Sequence, residues 1–171
     1  LKLEHLDCNW FSEIANLESL TIEDANTNTI KFGDNMSNLR YLSLKRNRIR
    51  SIDLTSLSKL EFLDISDNLF ESKPNIFYNS SFIKKLNLSH NESMNRLVKN
   101  MFRGLNNLIE LDISFCKLVE IDSNAFFDLS QLEILNLAFN NLKLNNSDVF
   151  SHLKRLKKLD LYYNKLEHNS L

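Results

Sequence analysis

Glycine occurs twice and proline once in 171 residues. Flexible linkers and domain boundaries are rich in those residues, so the chain reads as one domain without a hinge. Cysteine also occurs only twice, at Cys8 and Cys116, too far apart along the repeats to pair with each other. Cys116 is expected to be a buried free thiol, and Cys8 is either free or paired with a residue upstream of this chain. No apolar run approaches the length of a membrane span. A balance of 21 Lys and Arg against 22 Asp and Glu leaves a net charge of −1. That argues against a general nucleic-acid or membrane-surface binder. A Gly-rich phosphate loop, a Cys-x-x-Cys pair and a His-x-x-x-His pair are all missing. His5, His90, His152 and His168 fall on separate stretches, and only Ser89-His90 with Asp64 and Asp112 supplies triad residue types. No enzyme, metal site or cofactor is expected.

What the chain has is repetition. The phrase Leu-x-x-Leu-x-Leu, with Ile at some sites, begins at residues 17, 39, 60, 83, 108, 132 and 156, in steps of 22, 21, 23, 25, 24 and 24. This period and grammar predict a leucine-rich repeat solenoid. Counting the first Leu as position 1, positions 4 and 6 share one face of a short strand. Position 5 then points outward, and it is polar throughout: Thr21, Ser43, Asp64, Asn87, Asp112, Asn136 and Asp160. The fold class expected is an α/β repeat: a curved solenoid with a parallel β-sheet on the concave face and loops and short helical turns on the convex face.

Position 9 is Asn in five repeats: Asn47, Asn68, Asn91, Asn140 and Asn164. An amide both donates and accepts, so this column is expected to satisfy backbone groups of adjoining coils. Cys116 and Ala25 take the position in the other two, and the Ala25 coil is expected to be irregular. Position 11 (Ile49, Phe70, Leu118, Leu142, Leu166), followed by Ile52, Ile121 and Leu144, should point inward. Phe77, Phe102, Phe126 and Phe150 each precede a phrase by six residues and should stack along the convex wall. Gly33 with Met36, and Leu54 with Leu57, replace that Phe in the two shortest repeats. Residues 1–16 carry repeat material without a clear register. Leu1 begins inside the grammar, Leu171 ends partway through a repeat, and no Cys-rich cap flanks either end. The expectation is a single domain, 1–171, of about seven to eight coils, internal to a longer protein and without both caps.

Residues 108–156, with a near-24-residue period and convex Phe, resemble the typical class of leucine-rich repeats. That class is similar to the ectodomains of Toll-type receptors, chaoptin and Slit. The resemblance implies an extracellular or cell-surface module, reached by the secretory pathway, that recognises a protein ligand or partner receptor chain. It implies innate-immune, adhesion or receptor roles, with a homo- or heterodimer as one arrangement. Any membrane attachment would lie in a part of the parent protein outside this chain.

Three sets of residues are candidates for function. Position 8 reads Asp24, Arg46, Asp67, His90, Phe115, Phe139, Tyr163. Its aromatic end, with Tyr162 alongside and Arg46 and Asp67 as flanking charges, is the proposed concave binding stripe. The alternative is that such rings only support one another. Charges on neighbouring strands alternate in sign, which reads as a self-complementary solvated face. Five Asn-x-Ser sequons occur, at Asn35, Asn79, Asn87, Asn91 and Asn145. Asn91 should be buried and Asn87 lies on a strand, so Asn35, Asn79 and Asn145 are the expected N-glycosylation acceptors. The rival to extracellular recognition is an intracellular scaffold or regulatory subunit, whose repeats run nearer 22 residues. A structural spacer is a third reading.

Overall fold

The computed structural model describes residues 4–11, 13–143 and 147–166; Leu144 and Asn145 lie outside these. Eleven short strands are described: β1 (His5–Asp7), β2 (Ser19–Thr21), β3 (Thr29–Lys31), β4 (Tyr41–Ser43), β5 (Phe62–Asp64), β6 (Lys85–Asn87), β7 (Arg96–Leu97), β8 (Glu110–Asp112), β9 (Glu120–Ile121), β10 (Ile134–Asn136) and β11 (Lys158–Asp160). Four single 3₁₀ turns accompany them, at Cys8–Phe11, Asp34–Met36, Glu92–Met94 and Ser147–Phe150. The segment 123–129 is a run of turns closed by i→i+3 bonds, such as Ala125 N–H to Asp122 O (2.9 Å) and Leu129 N–H to Phe126 O (3.0 Å). Among the described residues no helix is long and apolar enough to cross a membrane.

Strands β2, β4, β5, β6, β8, β10 and β11 form one seven-stranded parallel sheet, ordered in space as in sequence. The register is set by position 4: Leu20, Leu42, Leu63, Leu86, Leu111, Leu135 and Leu159 lie opposite one another in turn. Each coil therefore advances the chain by one strand, which is a solenoid. Two minor parallel pairs sit later in the coil, β1 with β3 and β7 with β9. Leu6 stands opposite Ile30, which registers the segment that sequence reading left unassigned. It is the later part of a coil, carrying no strand phrase of its own.

The core is one continuous cluster running the length of the coil stack. Positions 4 and 6 are buried in the middle coils, as are Ile49, Phe70, Leu118, Leu142 and Ile121, and Ile52 packs against the cluster. Leu166 departs from expectation at 47 % exposed, and Leu159 is 38 % exposed, because β11 has a neighbouring strand on one side only. Opposite the sheet runs a phenylalanine spine. Successive rings of Phe70, Phe77, Phe102, Phe126 and Phe150 stack at centroid distances of 6.1, 6.2, 5.9 and 6.3 Å. Phe70, Phe77, Phe102 and Phe126 are fully buried, so this spine is a large apolar contribution to the fold. Towards the N-terminal end Met36, Leu54 and Leu57 fill the equivalent space, all buried.

Candidate functional site

The surface of interest is built on the turn that follows each strand, and two hydrogen-bond devices fix that turn. The first is the asparagine ladder. Asn68 Nδ2 donates to Leu44 O (3.0 Å) in the preceding coil and to Ile65 O (3.2 Å) in its own, while its Oδ1 accepts from Ile49 N–H (2.9 Å). Asn91 and Asn164 repeat the arrangement, each with its Oδ1 on one backbone N–H. Asn47 and Asn140 do more: the Oδ1 of Asn47 accepts from Ala25 and Thr27, and that of Asn140 from Cys116 and Leu118. Both follow a coil that lacks the position-9 Asn. In both of those coils the next residue turns left-handed, Asn26 at φ 57° and Lys117 at φ 56°. The irregularity foreseen at Ala25 thus has a twin at Cys116.

Cys116 keeps half of the amide's function. Its single S–H is shared between Leu88 O (3.3 Å) and Ser114 O (3.4 Å). A thiol is a weak acceptor, and the preceding coil, which is the 25-residue one, closes on itself there with the 3₁₀ turn Glu92–Met94 (Met94 N–H to Asn91 O, 2.9 Å). Burial pushes the Cys116 thiol up to about 12 and the Cys8 thiol up to about 11. Both are buried and free.

The second device involves position 5. The side-chain oxygens of Asp64, Asn87, Asp112, Asn136 and Asp160 each accept the N–H two residues on, at 2.9, 3.0, 2.9, 3.0 and 2.9 Å. Such Asx turns steer the chain into the bend that follows. The polar outward column is therefore structural as well as solvated. Asn87 and Asn136 also donate sideways to Asp64 and Asp112, at 3.2 and 3.0 Å.

Position 8 is the consequence of that bend. Asp24, Arg46, Asp67, His90, Phe115, Phe139 and Tyr163 all have positive φ, between 51° and 57°. A non-glycine residue there costs about 1–2 kcal/mol. Part of the offset is a second ladder, in which the N–H of Arg46, Asp67, His90, Phe115 and Phe139 donates to the carbonyl of Ser66, Ser89, Ser114, Ala138 and Tyr162 in the following coil. The side chains consequently form one column three residues beyond the strands, on the rim of the sheet.

Along the column the chemistry changes. At the N-terminal end Arg46 Nε pairs with Asp24 (2.8 Å) and its NH2 with Glu23 (3.1 Å). Lys45 stands 3.9 Å from Asp67, and Asp67 3.9 Å from His90 Nδ1. From His90 onward the rungs are rings. His90 stacks on Phe115 at 4.4 Å, Phe115 on Phe139 at 4.3 Å and Phe139 on Tyr163 at 5.3 Å, with Tyr162 edge-on to Phe139 at 5.3 Å. All five rings are exposed, from 38 % at Phe139 to 73 % at Tyr163. Beside them lies an open groove of about 310 Å³, with Asn141 and the Lys117–Glu92 ion pair (2.5 Å) on its other side.

The alternating charges on the sheet do pair: Arg40–Glu61 at 2.6 Å, Lys84–Glu61 at 2.7 Å, Lys85–Glu110 at 2.8 Å and Lys157–Glu133 at 2.9 Å. Sequence reading missed a second aromatic contact, the face-to-face pair Tyr41–Phe62 at 4.5 Å on adjacent strands. Their shared position 3, two residues after each phrase begins, was the available signal. Among the described residues no group of three or more His, Cys, Asp or Glu could hold a metal ion.

The family pattern described as "BspA type Leucine rich repeat region (6 copies)" matches residues 2–114, and the pattern "Leucine rich repeat" matches residues 107–166. No curated protein matches the chain. Among solved structures, a chain of the TLR13–ssRNA13 complex superposes with a TM-score of 0.70 at 25 % identity, over 97 % of this chain. A chain of the Toll–Spatzle complex from Drosophila gives 0.74 at 22 % identity over 91 %. A chain of the octameric Latrophilin 3, Unc5D and FLRT2 complex gives 0.73 at 22 % over 91 %. The present chain spans 28 %, 21 % and 56 % of those chains respectively. Because one of these structures contains ssRNA, the fold alone does not exclude a nucleic-acid ligand, and that expectation rests on charge only. The repeat grammar, the asparagine ladder and a family match over more than half its length together place the chain in the leucine-rich repeat family.

Proposed function

We propose that the chain is a protein-recognition module of an extracellular or cell-surface leucine-rich repeat protein of the receptor, adhesion or innate-immune kind. The observation that carries this reading is the stripe His90–Phe115–Phe139–Tyr163 with Tyr162: five exposed rings in one contiguous column. Exposed aromatic clusters are enriched at the energetic centres of interfaces. The backbone beneath is tied coil to coil, so a partner would meet a preformed surface with little left to order. Two of the structurally similar chains come from complexes with protein partners, Spatzle in one and Latrophilin 3 with Unc5D in the other. A net charge of −1 and bases already engaged by acids favour protein over RNA as the ligand.

The test is a triple variant, Phe115→Ser, Phe139→Ser and Tyr163→Ser, compared with the parent chain. Photo-crosslinkers placed beside the stripe should capture a protein partner at the cell surface. The variant should weaken that complex about tenfold or more while keeping its far-UV circular dichroism. Unchanged capture by the variant would favour the spacer reading. Capture of RNA, with a steep salt dependence, would replace the protein ligand.

A further inference from the structure

The geometry points to Asn79 as the acceptor of an N-linked glycan, with an open groove beside it that seats the first sugar. The inference rests on the secretory reading above. It is carried by what the other sequons are doing. Asn91 is fully buried and its Nδ2 holds Ile65 O and Leu88 O at 2.9 Å each. Asn87 sits in strand β6 with its Nδ2 on Asp64 at 3.2 Å. Asn35, an expected acceptor, is half-buried and its Nδ2 donates to Phe11 O at 3.0 Å. A bulky substituent on Asn91 Nδ2 displaces a bond of the ladder, and on Asn35 or Asn87 it crowds a nitrogen already held against the neighbouring coil. Asn145 lies outside the described residues.

Asn79 alone among the described sequons is exposed, and it stands at φ 68° on the outer segment between Phe77 of the spine and strand β6. Its neighbours form an open groove of about 280 Å³ lined by Tyr78, Ser81, Arg103, Asn106 and Asp128. Tyr78 is 55 % exposed, with the Arg103 guanidinium 5.4 Å from its ring centroid. An aromatic ring with amide, guanidinium and carboxylate groups around it suits a pyranose, which is apolar on one face and rich in hydroxyl and acetamido groups at its edge. The donor is a lipid-pyrophosphate-linked oligosaccharide. The Nδ2–C1 bond forms, the C1–O bond to the pyrophosphate breaks, the lipid pyrophosphate leaves and the amide gives up one proton. The glycan then lies across the core from the sheet, and the aromatic stripe stays uncovered.

The test is secretion of the chain behind a heterologous leader from a eukaryotic host. Amidase release of glycans in heavy-oxygen water follows, with peptide mapping of the labelled aspartates. Label at Asn79, with none at Asn35, Asn87 or Asn91, is the expected result. Label at any of those three in folded secreted protein, or none at Asn79, overturns the assignment. Ser81→Ala, which breaks the sequon and leaves the left-handed Asn79 in place, should abolish that label. The sugar seat is read separately. After trimming to a single N-acetylglucosamine, contacts from its protons to the Tyr78 ring should appear by NMR, and their absence rejects the groove. Partner capture by the stripe is an independent measurement, so failure here and failure of the recognition reading remain distinguishable.

Discussion

The two ends of the position-8 column share a backbone and differ in everything else. Asp24, Arg46 and Asp67 at one end, and Phe115, Phe139 and Tyr163 at the other, occupy the same left-handed turn. At the N-terminal end the side chains cancel one another's charge, and Arg46 is committed to Asp24 and Glu23. At the C-terminal end the rings cover one another's faces but leave their edges exposed. His90 belongs to both, 3.9 Å from Asp67 and stacked on Phe115. One scaffold position thus yields a self-satisfied ionic rim in one half and an apolar surface open to a partner in the other. The difference lies in the side chains, because all seven positions share the same left-handed backbone.

The comparison can be broken most forcefully at the ladder. Asn140→Ala strands the N–H groups of Cys116 and Leu118 and the carbonyl of Ile113, while Leu137 O keeps its bond from Asn164. It should cost about 3–4 kcal/mol in urea unfolding. Asn68→Ala, whose oxygen serves one N–H, should cost measurably less. Equal losses would mean that the doubled acceptor adds nothing in the aromatic half.

Next in size is the column itself. Phe139→Ala should cost about 1–2 kcal/mol, insensitive to salt. Arg46→Ala should cost less, and its effect should vanish near 1 M salt, because its partners are exposed. Since φ at Phe139 is 55°, Phe139→Gly should be no less stable than Phe139→Ala, the reverse of the usual order. A glycine variant clearly less stable than the alanine one would show that the turn is unstrained.

The cysteines compare the two ends by reactivity. With thiols pushed up to about 11 at Cys8 and about 12 at Cys116, neither should react with an aromatic disulfide at pH 8 in the native state. Cys8 should be modified first as the pH is raised. Earlier modification of Cys116 would reveal opening beneath the aromatic stripe.

The smallest effect concerns acid. The hydrogen bond from Lys84, then the charges of Lys84 and Arg40, hold Glu61 below its ordinary 4.5. A lowered carboxylate contributes stability that is complete above its unfolded value and is lost as pH falls through its folded value. Glu61→Gln should therefore flatten the stability profile slightly below pH 4.5, and only at low salt. A steeper acid limb in the variant would contradict the pairing.

How far the residues alone announced this molecule follows from the kind of interaction involved. Leu63, Leu86 and Leu111, the spine of Phe77, Phe102 and Phe126, and Asn68 and Asn140 were all legible in advance. Burial of apolar side chains and satisfaction of buried backbone groups depend on residue type and period, and both are written in one dimension. The seven-stranded sheet and its register followed from that period. What folding in three dimensions decided was conformation and contact between coils: the left-handed φ at Phe115 and Phe139, the Asx turns of Asp64 and Asp112, the twin irregularities after Ala25 and Cys116, and the half-burial of Asn35. Each depends on which backbone group the next coil brings alongside, and that neighbour is known only once the coils are stacked.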